Sequence, residues 1–396
     1  MDKEINNQKL YLKLKELTKI ALRLYKKNPF EKESLDFLFE FEKVDKRIKK
    51  QSLFNICLQI MKNDEKIEFL EGKNIGISNF KFSINKERCI LVFLRIVYNQ
   101  NNTYIEDIFN ESYVKFEELF YSNDFVYLDS SNLYNFDYDG EEIKLNDELV
   151  IKKKIKKTHI KEDFDFHRIR MEFAKSDFII ERKQILPKLL KNKEKIELIE
   201  TTEFFDFIVY ALRLLKHSAV YRSDSIYFQL KTFSTGPKGF RQGKNHQDII
   251  SGKKCFINEE DINELSSIFQ YIISEEKESR FSLALRRLSM GMSRKNFDDK
   301  IIDYIIGFEA LYLPESKAEL SFKIALRVAF LLSDIENREE NYLFLKKMYT
   351  YRSNIVHGEK QELKNDDILK LENLLRQSLM LWMKDENIFS KKELDR

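Results

Sequence analysis

Cysteine, proline, glycine and tryptophan are all scarce in this chain of 396 residues, at three, four, ten and one. Cys57, Cys89 and Cys255 are odd in number and far apart. They offer neither a disulfide framework nor the close pairing of a metal knuckle, and a reducing, cytoplasmic setting is the expectation. With so little glycine and proline, no flexible linker or low-complexity stretch marks a domain boundary. Long apolar runs are missing too. The densest, FFDFIVYALRLL, is short and broken by Asp206 and Arg213, and the opening MDKEINNQKL has no apolar stretch. Neither membrane insertion nor export is therefore expected. Charge of one sign is also lacking: 69 Lys and Arg against 66 Asp and Glu leave +3. A globally basic nucleic-acid binder is excluded, and any basic surface must be local.

What is present is a soluble, core-forming composition, 43% apolar and 34% charged, enough for two or three domains. From about residue 8 to 62, Leu10, Leu14, Leu17, Ala21 and Leu24, then Leu35, Leu38 and Phe39, recur at helical spacing, so residues 1–62 read as an N-terminal helical segment. The texture then shortens. KFSINKERCILVFLRIVY suggests a strand followed by a buried strand or helix, and DFVYLDSSNLYNFDYDGEEIKL reads as short strands between turns. Strands and loops are expected from about 66 to 150, and residues 63–258 as a whole read as a mixed α+β region for sensing or substrate binding. Residues 259–396 read as a helical bundle, with helices near 259–275, 278–294, 299–313, 317–334, 339–357 and 365–384. The fold class expected is thus α+β, an all-α C-terminal bundle preceded by a mixed region.

Inside the bundle, Ser316 and Glu319 have capping-box spacing. The following helix, AELSFKIALRVAFLLSD, is apolar over most of its surface and is expected at the buried centre. Arg327 interrupts that surface, and Glu309 interrupts the stripe of Ile302, Ile305, Ile306 and Leu313. Buried charge without a partner costs several kcal/mol, roughly, so Glu309 is expected to pair with Arg327 or Arg352.

The most informative stretch is YRSNIVHGE, Tyr351 to Glu359. Gly358 is placed as a helix C-cap. Arg352 and His357 then occupy the last turns of one helix, about 140° apart at 3.6 residues per turn. They do not converge within one chain, but a second copy related by a two-fold axis would bring four such groups around one phosphate. The simpler alternative is a histidine favoured by the negative end of the helix and a solvated arginine.

This stretch, with ALRRLSMGMSRKNFDDKIIDYIIGFEALYL (284–313) and ELSFKIALRVAFLL (319–332) before it, resembles the Apea-like branch of the HEPN domain family over roughly residues 275–385. The resemblance implies a helical bundle that forms a homodimer, a metal-independent ribonuclease centre built from R-x4–6-H motifs of both subunits, and a role in bacterial anti-phage defence by abortive infection. By position, the motif arginine is Arg352 and the motif histidine His357. The polar third member falls on Ser353 or Asn354, a departure from the residues usual after the arginine. Glu309 and Arg327 are supporting residues. RNA, single-stranded or a transfer-RNA loop, is the implied substrate and a phage-derived trigger an expected partner, with no cofactor.

The chemistry follows from the side chains. Histidine can take a proton from a ribose 2′-hydroxyl or give one to the leaving 5′-oxygen, while arginine forks onto the non-bridging oxygens. Outside this stretch, STGPKGFRQGK (234–244) gathers Lys238, Arg241 and Lys244 around glycines without matching a P-loop, and KKKIKK (152–157) begins with Lys152, Lys153 and Lys154. Both are candidate RNA-backbone contacts as well as ordinary solvated segments. His159, Asp163, Asp165 and His167 have the makings of a metal set only by chance spacing, so no metal is expected, and His217 is read as a capping or core histidine. The competing functional reading is a catalytically silent module that binds RNA or a protein, acting as sensor or scaffold.

Overall fold

The computed structural model describes residues 5–27, 37–75, 82–154, 176–187, 201–223, 226–230, 239–241, 252–314, 319–359 and 362–394. The chain is α+β, and from residue 258 onward the described part is wholly helical.

The first part is helical well beyond the expected segment. Helices α1 (Gln8–Lys26), α2 (Phe37–Lys49), α3 (Ser52–Lys62) and α4 (Glu65–Leu70) are followed by the small antiparallel pair β1 (Asn74–Ile75) and β2 (Phe82–Ser83). Two further helices follow, α5 (Lys86–Gln100), the helix alternative left open for KFSINKERCILVFLRIVY, and α6 (Glu106–Tyr121), where strands and loops were expected. The reason is local. Asn85 caps α5 by accepting the Arg88 amide at 2.9 Å, and Cys89, Ile90, Phe93, Leu94 and Val97 then recur at helical spacing and are buried. These helices share one apolar core running from Leu10 to Phe125.

The sheet begins at β3 (Asp124–Tyr134), followed by β4 (Phe136–Tyr138), β5 (Glu142–Lys144), β6 (Leu149–Lys153) and β7 (Phe178–Pro187). After helix α7 (Thr201–Leu215) come β8 (Tyr221–Arg222), β9 (Ile226–Leu230), β10 (Gly239–Arg241) and β11 (Cys255–Ile257). The main sheet runs β10-β9-β3-β7-β6-β5, with β8 also on β3. Every pairing in it is antiparallel, and β3 aligns with β7 from Asp124↔Pro187 to Leu133↔Phe178. Strand β11 pairs parallel with β4.

The C-terminal helices are α8 (Asp261–Ser274), α9 (Arg280–Ser293), α10 (Phe297–Tyr312), α11 (Leu320–Leu332), α12 (Arg338–Val356), α13 (Asn365–Lys384) and the short α14 (Lys391–Leu394). They join the sheet and α7 in a second apolar core that extends from Leu133 to Phe389. Gly291 permits a close approach between α9 and α10: a Cβ there would come 2.3 Å from Tyr304 Cε1. Buried Arg213 fastens α7 to α9, donating to Val220 O at 2.9 Å, to Ser289 O and Oγ at 2.7 Å and to Ser293 Oγ at 2.8 Å. Burial pulls its pKa down to about 10.

Two expectations for α11 change. Glu319 is itself the N-cap, in the left-handed region at φ 55, and its side chain makes no capping bond; Ser316 lies outside the described residues. Nor is α11 the centre of the bundle. Ile324, Ala325, Arg327, Val328 and Ala329 are buried, but Phe322, Leu326 and Phe330 are 46%, 36% and 57% exposed. Their i, i+4, i+8 spacing makes one apolar stripe, flanked by α12, where Tyr342 meets the Phe322 ring edge-on and Arg338 lies over the Phe330 ring.

Candidate functional site

The site is built at the C-terminal end of α12. The helix stops through a Schellman motif, in which the Gly358 amide donates to Ile355 O at 3.0 Å and the Glu359 amide to Asn354 O at 2.9 Å. Gly358 adopts φ +86, a conformation that costs glycine nothing and other residues a strain against Cβ. His357 is therefore the C-cap, its amide donating to Ser353 O and Asn354 O at 3.1 Å. Its ring is exposed and makes no hydrogen bond among the described residues. The Ser353 and Asn354 side chains, half-buried in the same turn, likewise make none there.

Arg352 points the other way, toward α10. Its Nη2 lies 3.9 Å from Glu309 Oε2, with both side chains about three-quarters buried, at 26% and 24% exposure. Of the two arginines considered for Glu309, Arg352 is the one paired. Tyr349, one turn earlier on the same face, donates its hydroxyl to Glu309 Oε1 at 3.1 Å. Burial, and then the Glu309 carboxylate, push the Tyr349 phenol up from its usual pKa. Tyr349 was not singled out in the sequence, although its i−3 spacing from Arg352 was the available signal. Arg352 Nε is buried with no hydrogen-bond partner, so the ion pair with Glu309, whose carboxylate Tyr349 holds, leaves this guanidinium unsaturated.

Arg327 is used differently. It donates through Nη1 to Tyr312 O and through Nε to Leu394 O at 3.2 Å. Tyr312 is the last residue of α10, so the buried cation meets the carbonyl end of a helix.

The candidate RNA contacts lie elsewhere. Lys152 and Lys153 stand on β6, with Lys152 Nζ 2.5 Å from Glu181 and Lys153 Nζ 3.7 Å from Glu141. Lys154 follows, its amide donating to Asp177 O at 2.7 Å. Arg241 ends the edge strand β10, paired in register with Ile226. Lys238 and Lys244 lie outside the described residues, as do His159, Asp163, Asp165, His167 and His246. The lysines of β6 and the Arg352–His357 turn thus belong to different elements, the sheet and a helix end. Among the described residues no group of three or more His, Cys, Asp or Glu side chains is placed to hold a metal ion, and no helix is long and apolar enough to cross a membrane.

His217 departs from its expected role as cap or core residue. Its ring is 45% exposed, and Nδ1 pairs with the buried carboxylate of Glu372 on α13.

Compared with known protein families, curated proteins and solved structures, the chain matches none of them. The resemblance to the Apea-like HEPN family accordingly rests on the three quoted segments alone.

Proposed function

We propose that this chain is a metal-independent endoribonuclease of a bacterial anti-phage system, its C-terminal helices forming a HEPN-type homodimer with Arg352 and His357 in the reaction centre. The observation that carries this reading is the contrast at the end of α12: a guanidinium 3.9 Å from Glu309, a carboxylate itself held by Tyr349, with Nε unsatisfied, and a histidine ring left without a partner among the described residues. The exposed stripe of Phe322, Leu326 and Phe330 on the neighbouring helix supports the homodimer, since apolar stripes of this kind are commonly covered by another surface.

In this reading one His357 takes the proton from a ribose 2′-hydroxyl. The 2′-oxygen attacks the adjacent phosphorus, and Arg352 stabilises the charge gathering on the non-bridging oxygens. The His357 of the second subunit gives a proton to the departing 5′-oxygen. The products are a 2′,3′-cyclic phosphate and a 5′-hydroxyl, and DNA is inert because it lacks the attacking group. Unstacked RNA, single-stranded or in a transfer-RNA loop, can bend into the in-line arrangement.

The test is expression of wild type, His357→Ala and Arg352→Ala in cells with and without phage challenge, with RNA ends carrying a cyclic phosphate mapped in each. Wild-type cuts should fall at least roughly a hundredfold in both variants. Equal end profiles in all three folded proteins, with RNA still bound, would decide instead for the catalytically silent binding module.

A further inference from the structure

A second cleft, of about 640 Å³, opens between the end of α9, the first turns of α10 and α13, and segments 217–219 and 252–253. No residue of α12 lines it, so it is separate from the Arg352–His357 turn. Its volume falls within the roughly 300–1,000 Å³ of small-molecule sites.

At the α13 wall stands Glu372, 2% exposed. The Tyr304 hydroxyl donates to its Oε2 at 2.9 Å, and His217 Nδ1 pairs with its Oε1. A carboxylate on Nδ1 fixes the orientation of an imidazole and leaves Nε2 for a ligand. Lys300 is the second polar wall. Burial draws its ammonium pKa below the usual lysine value even though Glu372 opposes that shift, and its side chain makes no hydrogen bond or ion pair among the described residues. Lys253, exposed at the rim, has none there either. The N-cap residues of both helices that open on the cleft, Asn296 and Lys364, make no side-chain bond to the first-turn amides, so those amides still lack side-chain acceptors.

Negative charge also borders the cleft and limits what fits. Asp299 lines it, Asp298 stands beside Asp299, and Asp366 and Asp367 occupy the first turn of α13. Asp367 is engaged by Lys347 at 3.2 Å, and Arg294 is engaged by buried Asp303 at 3.0 Å. Of the basic groups, two lysines and an oriented histidine are left uncommitted among the described residues, enough for one phosphate group, with acidic residues nearby that repel a long polyanion. Phe297, Ile368 and Leu369 add an apolar side.

We propose that this cleft binds a small phosphomonoester with an apolar or aromatic body, of the size of a nucleoside monophosphate, its phosphate held by Lys300, Lys253 and the His217 ring. The inference is independent of the ribonuclease reading.

Calorimetric titration of the full chain with AMP, adenosine and inorganic phosphate tests it. AMP should bind, phosphate should compete with it more weakly, and adenosine should bind least. Lys300→Gln and Lys253→Ala should each weaken AMP binding about tenfold with the circular dichroism spectrum unchanged. Lys144→Ala, an exposed lysine of β5, should have no effect. The proposal is overturned if neither AMP nor phosphate binds the folded wild type at millimolar concentration, or if AMP binding survives the double lysine substitution unchanged. It is equally overturned if an RNA oligomer lacking a terminal phosphate binds through the same lysines more tightly than AMP.

Discussion

Two arginines of the C-terminal helices end with different partners. Arg352 finds a carboxylate on α10, while Arg327 finds the carbonyls of Tyr312 and Leu394. The sequence could announce that Glu309 needs a cation, because a buried acid is costly. It could not choose between the arginines, because every residue carries a carbonyl and a backbone acceptor leaves no trace in side-chain identity. The partner of His217 is hidden for another reason, since Glu372 lies 155 positions away. Arg327→Met should therefore destabilise the fold by about 2–3 kcal/mol, the loss of charge-assisted bonds to carbonyls that remain buried. Urea unfolding followed by circular dichroism measures it, and a change below about 0.5 kcal/mol would assign Arg327 no structural role.

Among the elements, those with a capping signature or a clean period were legible and those that depend on neighbours were not. The six C-terminal helices stand within a few residues of their expected positions, and Gly358 ends α12 as its place after Val356 and His357 implied. The α11 start was misread, since a Ser-x-x-Glu spacing is only permissive and the helix begins at Leu320, after Glu319. Its burial was misread for another reason. Apolar residues on all sides do not reveal whether the covering surface belongs to the same chain. The Schellman turn offers a direct test. Gly358→Ala forces a Cβ into φ +86 with no clash to relieve, as nothing lies within 4 Å, so the cost is conformational alone. A stability loss of about 1–2 kcal/mol is expected in thermal unfolding, with Gly358→Asn milder because asparagine tolerates this region better. Equal stability of Gly358→Ala and wild type would mean that the turn rearranges freely.

At the scale of the molecule, the α+β class was readable from the change in hydrophobic period, whereas the strand order was not. The neighbours of β3 in the main sheet, β7, β8 and β9, are all distant in sequence, and the two apolar cores meet between Phe125 and Leu133, within the single long strand β3. The turn-forming run Asp129, Ser130, Ser131 and Asn132 stands at that point, yet the strand continues through it. The proposed dimer is the feature that neither core can supply. If Phe322, Leu326 and Phe330 meet a second copy, Leu326→Glu combined with Phe330→Glu places charge on a face meant to be dry, while a lone chain carries the same charges in water at little cost. Sedimentation should then show the wild type as a dimer at micromolar concentration and the double variant as a folded monomer. The variant should lose cleavage together with association, since each proposed centre draws a histidine from both subunits. A monomeric wild type that still leaves cyclic-phosphate ends would detach the chemistry from the two-fold arrangement. Arg352 and His357 would then have to act from within one chain, across the roughly 140° that separates them on the helix.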